Sequence, residues 1–272
     1  MADIKPVLLR GSEIRPYADE NGNVIEGSPK TNGQSIVEFR GSNCRVVFGE
    51  NSRMYGQIAF QRDGSYVSLG DWAFFRGRTS LGLDCRVTFG YNVYCGVDLQ
   101  VNTAEGQDIT IGDDVLIANH CRIRADDSHP IYDGVTGDRL NHSRSIVVED
   151  HVWIGQEVFI MPGAHVQTGS IIGARSMVTR SSLIPPHSLA FGSPATVRRS
   201  KVHWVRKHTQ NSFDLPARVE PIFGEVPIEP EFGSFICNSC NFRAPAHDMD
   251  AAGTAAVRHM REAPSHGITL EP

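Results

Sequence analysis

What this sequence lacks narrows it before any motif is read. No run of apolar residues approaches the length that crosses a bilayer. The opening residues, MADIKPVLLRGSEIRP, scatter charge and contain no apolar core of a leader, so the expectation is a cytoplasmic protein without a signal peptide. Positive charge is not in excess: 26 Lys and Arg against 31 Asp and Glu give a net charge of -5, which leaves no basic footprint for nucleic acid. Cysteine is scarce, six in 272 residues, and does not suggest the disulfide framework of a small secreted protein. The centre of the chain also lacks apolar residues at the three- and four-residue spacing of an amphipathic helix.

What is there instead is a period of six. From Val148 to Leu183 a branched aliphatic stands at every sixth position: Val148, Ile154, Ile160, Val166, Ile172 and Val178. A second track in phase with it carries small or β-branched residues: Val152, Val158, Ala164, Ser170, Ser176 and Ser182. Upstream, Leu69, Phe75, Leu81, Val87, Val93, Leu99, Ile111, Ile117 and Ile123 share one six-residue grid, with Cys85 and Cys121 in the small slots. Such a period marks a parallel β-helix, in which three short strands close a triangular coil of about eighteen residues around an axis of aliphatics. Stacked coils satisfy one another's backbone hydrogen bonds.

The grid fails twice. Glu105, in NTAEGQD, stands where an aliphatic is due and predicts a bulge or short loop. His129 occupies the next vacant slot, and from there to residue 145 the repeat is absent. An interruption of that length inside a compact repeat is usually functional. The domain reading is an irregular segment over 1–35, a β-helix over 36–194 and a short basic helix over 195–214. A proline-rich linker then spans 215–234, ahead of a small Cys- and His-containing tail over 235–272 with a helix-compatible stretch, DAAGTAAVRHMREA.

The ordered motifs DSHPIYD, then HVWIGQEVFIMPGAHVQTGSIIGARSMVT, then IPPHSLAFGSPATVRR resemble the hexapeptide-repeat acyltransferase family. The pattern is nearest to its galactoside, maltose and polysaccharide O-acetyltransferases, and the resemblance spans roughly residues 69–205. It implies an all-β, left-handed parallel β-helix, a homotrimer with sites between subunits, acetyl-CoA as acyl donor and a sugar or polysaccharide acceptor. The histidine of its SHP motif, here His129, is implied as general base. A sugar hydroxyl attacks a thioester only as its proton is removed, a task suited to neutral imidazole. The plainer reading is a solvated loop histidine. Asp126 and Asp127 are candidates to orient the ring.

Trp153 resembles the family's tryptophan beside the thiol end of the cofactor, although a large residue capping a coil corner would look the same. Gly155, Gly163, Ala174 and Ser176 match positions along the pantetheine arm, and a tight coil corner calls for the same residues. Arg180, Arg198 and Arg199 match cations for the CoA phosphates, or form a solvated basic face. For the acceptor the candidates are Asp98, Asn102, Tyr132 and Asp133. Cys237, Cys240, His259 and His266 have the ligand types of a structural zinc site, with His247 as a substitute and two free thiols as the alternative. Three other activities stay open: N-acetylation of an amino sugar, a carbonic anhydrase on the same β-helix, and a non-catalytic scaffold.

Overall fold

The computed structural model describes residues 5–207, positions 209, 219, 222 and 223, and the backbone of three short strands near the C-terminus. The chain divides into two compact units, Met1–Leu215 and Pro216–Pro272.

The first unit is a parallel β-solenoid with three faces, two of eight strands and one of nine. Face one stacks Ile36–Phe39, Gln57–Phe60, Gly77–Leu81, Leu99–Thr103, Arg122–Arg124, Phe159–Ile160 and Met177–Val178. Face two runs from Val24–Glu26 to His165–Val166, and face three from Lys30–Thr31 to Leu189–Gly192. Every inward aliphatic of the repeat from Val148 to Val178 is fully buried. Among the described residues no helix is long and apolar enough to cross a membrane.

Coil length is where the six-residue grid is only partly right. After the interruption, coils repeat every eighteen residues, as between Ser170 and Ser188. Before it they are longer, 21 residues from Ser42 to Asp63 and 22 from Val97 to Asn119. The grid survives because four-residue strands point two residues inward, such as Val67 with Leu69 and Val87 with Phe89. The wider coils hold larger side chains, and Phe39 stacks on Phe60 with ring centroids 5.0 Å apart.

At the turn between faces two and three, an acidic side chain reaches to the coil on its N-terminal side. Asp71, Asp113 and Asp150 accept the backbone N–H of Glu50, Tyr91 and Asp113 at 2.7 Å each. These bonds satisfy donors that a tight corner would otherwise leave unpaired. Glycine at 49, 90 and 112 makes room, since an added Cβ would lie 2.3 to 2.4 Å from those carboxylate oxygens.

Two expectations are corrected. The segment 1–35 is not irregular throughout: Val24–Glu26 and Lys30–Thr31 already belong to the first coil. Tyr17–Ala18 and Val7–Arg10 pair antiparallel with strands of that coil and cover its edge. The expected helix over 195–214 begins instead as a strand, Ala195–Arg199, antiparallel to Leu189–Gly192, and residues 200–207 are not helical. The β-branched Thr196 and Val197 suit an edge strand, and Trp204 then anchors the segment through its indole N–H, 2.8 Å from the carbonyl of His151.

The buried cysteines Cys44, Cys85, Cys95 and Cys121 are free thiols, and burial pushes Cys44 and Cys121 up to about 11. In the second unit Ser234–Cys237 pairs antiparallel with Arg243–Pro245 and Ile268–Glu271. The zinc candidates Cys240, His259 and His266, the Cys237 side chain and most of the 215–234 linker lie outside the described residues. Ile160 is fully buried on the axis, so Ile160→Ala is expected to cost about 2–5 kcal/mol. An unchanged denaturant midpoint would show that the axis does not carry the stability.

Candidate active site

The interruption is a loop with a closed neck. Ala125 is buried; its N–H donates to the Asn102 carbonyl and its own carbonyl accepts from Arg144, both at 2.9 Å. Further out, Leu140 N–H donates to Ile131 at 2.8 Å, and Tyr132 lies opposite Arg139 as an antiparallel bridge. Asn141 ties the two sides together. Its side-chain amide donates to the His129 carbonyl at 2.9 Å and to Asp127 Oδ2 at 3.1 Å, and its Oδ1 accepts Ile131 N–H at 2.6 Å. His129 N–H donates to the Asp127 carbonyl at 2.8 Å. The His129 backbone is thus held on both sides, while its imidazole is exposed and has no partner among the described residues.

The two aspartates do not orient that ring. Asp126 accepts Ser128 N–H at 2.8 Å and faces Arg124 at 3.5 Å, and Asp127 is taken by Asn141. Their work is to fix the first turn of the loop.

The loop is anchored at the other failure of the grid. Glu105 receives both terminal nitrogens of Arg139, at 2.5 and 3.0 Å, and the Ser143 hydroxyl at 2.6 Å. Hydrogen bonds from Arg139, then from Ser143, hold its carboxyl down to about 2. Gln107 extends the anchor by accepting the N–H and hydroxyl of Ser145. Between this anchor and the loop lies a cavity of about 290 Å³, lined by Glu105, Asp126, Asp127, Tyr132 and Arg139 among others.

The remaining candidates fall on separate corners. Gly163 (φ +77°) sits where face one turns into face two; a Cβ there would stand 3.1 Å from Arg144 Cδ and 3.4 Å from Arg180 Cβ. Gly163 and Arg180 therefore share the corner from which the His129 loop springs. Gly155 and Ala174 lie at another corner, where a Cβ on Gly155 would meet Ala174 N and Ile172 O at 2.7 Å. Beyond them Arg198 lies over the Phe191 ring at 5.3 Å, and Arg199 is exposed on the same edge strand. Ser176 is buried, with its hydroxyl donating to Gly173 and accepting from Gly192, so its role is internal. Trp153 points outward from face three between Leu116 and Ile171, its ring centroid 6.0 Å from that of Trp204.

No family model matches the chain. It is 30% identical over 132 residues to a polysialic acid O-acetyltransferase of Neisseria meningitidis, covering 48% of this chain and 58% of that protein. It is 31% identical over 134 residues to the galactoside O-acetyltransferase of Escherichia coli K12, covering 49% and 64%. The chain thus spans under two thirds of these relatives' length. The crystal structure of the polySia-specific acetyltransferase NeuO superposes with a TM-score of 0.59 at 26% identity, over 69% of this chain and 80% of that one. The polysialic acid O-acetyltransferase OatWY shares the fold, with a TM-score of 0.61 at 24% identity over 71% and 92%. The chain shares the left-handed β-helix fold of these acetyltransferases.

Of the site candidates, the structure brings His129, Tyr132, Gly163 and Arg180 to one region and leaves Trp153, Gly155, Ala174, Arg198 and Arg199 on other faces. Of the acceptor candidates, Tyr132 lines the loop cavity. Asp133 is occupied in capping Val135 and Thr136 N–H, which lowers its carboxyl. Asp98 adopts φ 58° at a coil corner and faces His120 at 3.4 Å; Asn102 is in register with Arg124. The Glu105–Arg139 pair was not read from sequence, although the grid marked Glu105. Its partner stands 34 residues away, and no periodicity links the two.

The anchor titrates with a definite sign. A carboxyl held near 2, against an ordinary 4.5, contributes its stabilisation above the ordinary value and loses it as pH falls from about 4.5 toward 2. Hydrogen exchange of the 130–143 amides, referenced to intrinsic rates at each pH, is expected to accelerate across that window. Glu105→Gln should give the accelerated exchange at every pH; unchanged protection in that variant would refute the anchor.

Proposed function

We propose that this protein is an acetyl-CoA-dependent O-acetyltransferase that acts on a sugar hydroxyl, within surface-polysaccharide modification. The observation that carries the reading is the closed-neck loop presenting the exposed His129, without a side-chain partner among the described residues, from a β-helix whose relatives are named O-acetyltransferases. The loop fixes the His129 backbone and leaves its imidazole free, as a general base requires.

In the reaction, the neutral imidazole of His129 takes the proton of the acceptor hydroxyl as its oxygen attacks the thioester carbonyl. The tetrahedral intermediate carries its negative charge on the former carbonyl oxygen, where an N–H donor would stabilise it. Collapse re-forms the carbonyl, breaks the carbon–sulfur bond and releases the CoA thiolate, which recovers the proton from the imidazolium. The products are the acetyl ester and CoA, with no acyl-enzyme.

For the donor, the residues at hand suit the group. Gly155 and Ala174 leave backbone open at a corner, and Arg180, Arg198 and Arg199 offer exposed guanidinium groups to phosphates. A homotrimer fits the distribution of these residues. His129 and Arg180 occupy one corner of the triangle while Trp153, Gly155 and Arg198 belong to other faces, so a neighbouring copy would complete each site. A cytoplasmic location follows from the donor.

Thiol release from acetyl-CoA is expected in the presence of a suitable saccharide, and His129→Ala should lower it by about 10²–10⁴-fold. Full activity in His129→Ala would sink the mechanism. Comparing a hydroxyl sugar with its amino analogue assigns the attacking atom.

A further inference from the structure

After the edge strand Ala195–Arg199 the chain runs back along the corner between faces two and three, against coils already laid down. Hydrogen bonds mark its descent. Val202 N–H donates to the His187 carbonyl at 2.8 Å, and the Trp204 indole N–H to the His151 carbonyl at the same distance. Arg206 Nη2 then donates to the carbonyls of Val115 at 3.1 Å and Asn92 at 2.9 Å. Residues 200–207 thus form a strap that ties the last coil back to earlier ones.

The strap closes on His151. Its ring lies flat on the Trp204 indole, with centroids 4.3 Å apart and planes at 10°, and Trp204 is only 6% exposed. His151 Nδ1 faces Asp114 Oδ2 at 2.7 Å, and Nε2 faces the Trp204 carbonyl at 3.1 Å. A backbone carbonyl only accepts, so Nε2 needs a hydrogen to make its bond. Asp114 also faces Arg206 Nε at 3.1 Å and accepts from Asn92 Nδ2 at 2.8 Å, and so acts as a carboxylate, which likewise only accepts. Both ring nitrogens therefore need a hydrogen at once, and only the imidazolium has two.

The turn itself does not ask for a histidine. Earlier coils place Asn92 and Asp114 at the same corner with the same left-handed backbone, φ 54° in each of the three. The imidazole answers to the strap. Besides Asp114 and Arg206, the titratable groups around it are His203, stacked at 6.2 Å, and Asp150, whose carboxylate is taken by Asp113 N–H. On the far side the next coil presents Gly169, with the His187 ring beyond it.

We infer that residues 200–207 are a proton-dependent strap, closed while His151 carries both ring hydrogens and loosened when it loses one. The neutral ring keeps a single donor, and a nitrogen lone pair then faces either the Trp204 carbonyl or the Asp114 carboxylate. The closed form is thus complete below the ordinary imidazole range and weakens as pH rises through about 6 to 8. Opening moves the Trp204 indole away from Trp153, whose ring lies 6.0 Å from it on the outside of face three. Solvent pH thereby sets how much of Trp153 is uncovered. The strap requires nothing of the acetyl-transfer chemistry.

The chain has three tryptophans, so its indole N–H signals are few, and Trp204→Phe identifies the one that matters. Exchange of the Trp204 indole N–H is followed by nuclear magnetic resonance in the full chain and referenced to intrinsic rates at each pH. Its protection should fall by about tenfold between pH 6 and 8, while Gly155 N–H, bonded within the stack, keeps its own. His151→Asn gives the corner a residue that it accepts in an earlier coil, and should show low protection at both pH values with no step between them. Arg206→Gln should lower protection at both and keep the step, and His203→Gln should keep the wild-type profile. A step that survives His151→Asn, or vanishes in either of the other two variants, would assign the proton elsewhere and overturn the inference. Equal protection at pH 6 and 8 in the wild type would overturn it outright.

Discussion

Everything in this protein depends on the backbone bond between one coil and the next. Each short strand finds its hydrogen-bond partners in the coils before and after it, so no coil is stable alone and the stack is stable as a whole. That constraint fixes what stands inside, where aliphatics line the axis, and what stands at the corners, where Asp71, Asp113 and Asp150 supply the acceptor that the turning backbone lacks. It also fixes the glycines, because a side chain at Gly56, Gly77 or Gly155 would press on the neighbouring coil's backbone.

A stack of this kind makes an interruption cheap to house. The strand after the loop, Ile146–Val148, returns to register with Asp108–Ile111 as though nothing intervened, and the partners Asp113 and Asp150 are 37 residues apart in place of 18 to 22. Closing a long loop costs little more entropy than closing a short one. The remaining cost is to give the loop one shape. Asn141 at the neck and Glu105 with Arg139 and Ser143 at the base do this with polar side chains, since a projecting loop has no core of its own. The solenoid provides the rigid mount, and the loop presents the exposed imidazole of His129.

Much of this was legible in the residues. The sixfold aliphatic track predicted the solenoid because inward positions must be apolar whatever the coil length. The vacancy at slot 129 located the loop because a histidine cannot replace an aliphatic on a dry axis. The resemblance in DSHPIYD and IPPHSLAFGSPATVRR pointed to the acyltransferases that the comparisons also returned. Less legible was the start of the repeat. Val24–Glu26 and Lys30–Thr31 are too short and too polar to carry a period, yet they are coil because later strands pair with them. The basic stretch after Ala195 failed as a helix for a related reason: an edge strand was available, and pairing outweighed local propensity.

The sequence by itself therefore determined the axis: which residues face inward, where the stack breaks and which histidine stands at the break. Those are local matters, set by burial at fixed spacing. The tertiary structure alone decided which outward side chains meet. Glu105 and Arg139, or Gln57, Arg78, Gln100 and Arg122, become neighbours through coil lengths of 21 and 22 residues and through the return of a loop. An exposed side chain carries no hydrophobic signal of its own, so its partner is fixed only when the coils are laid one upon another.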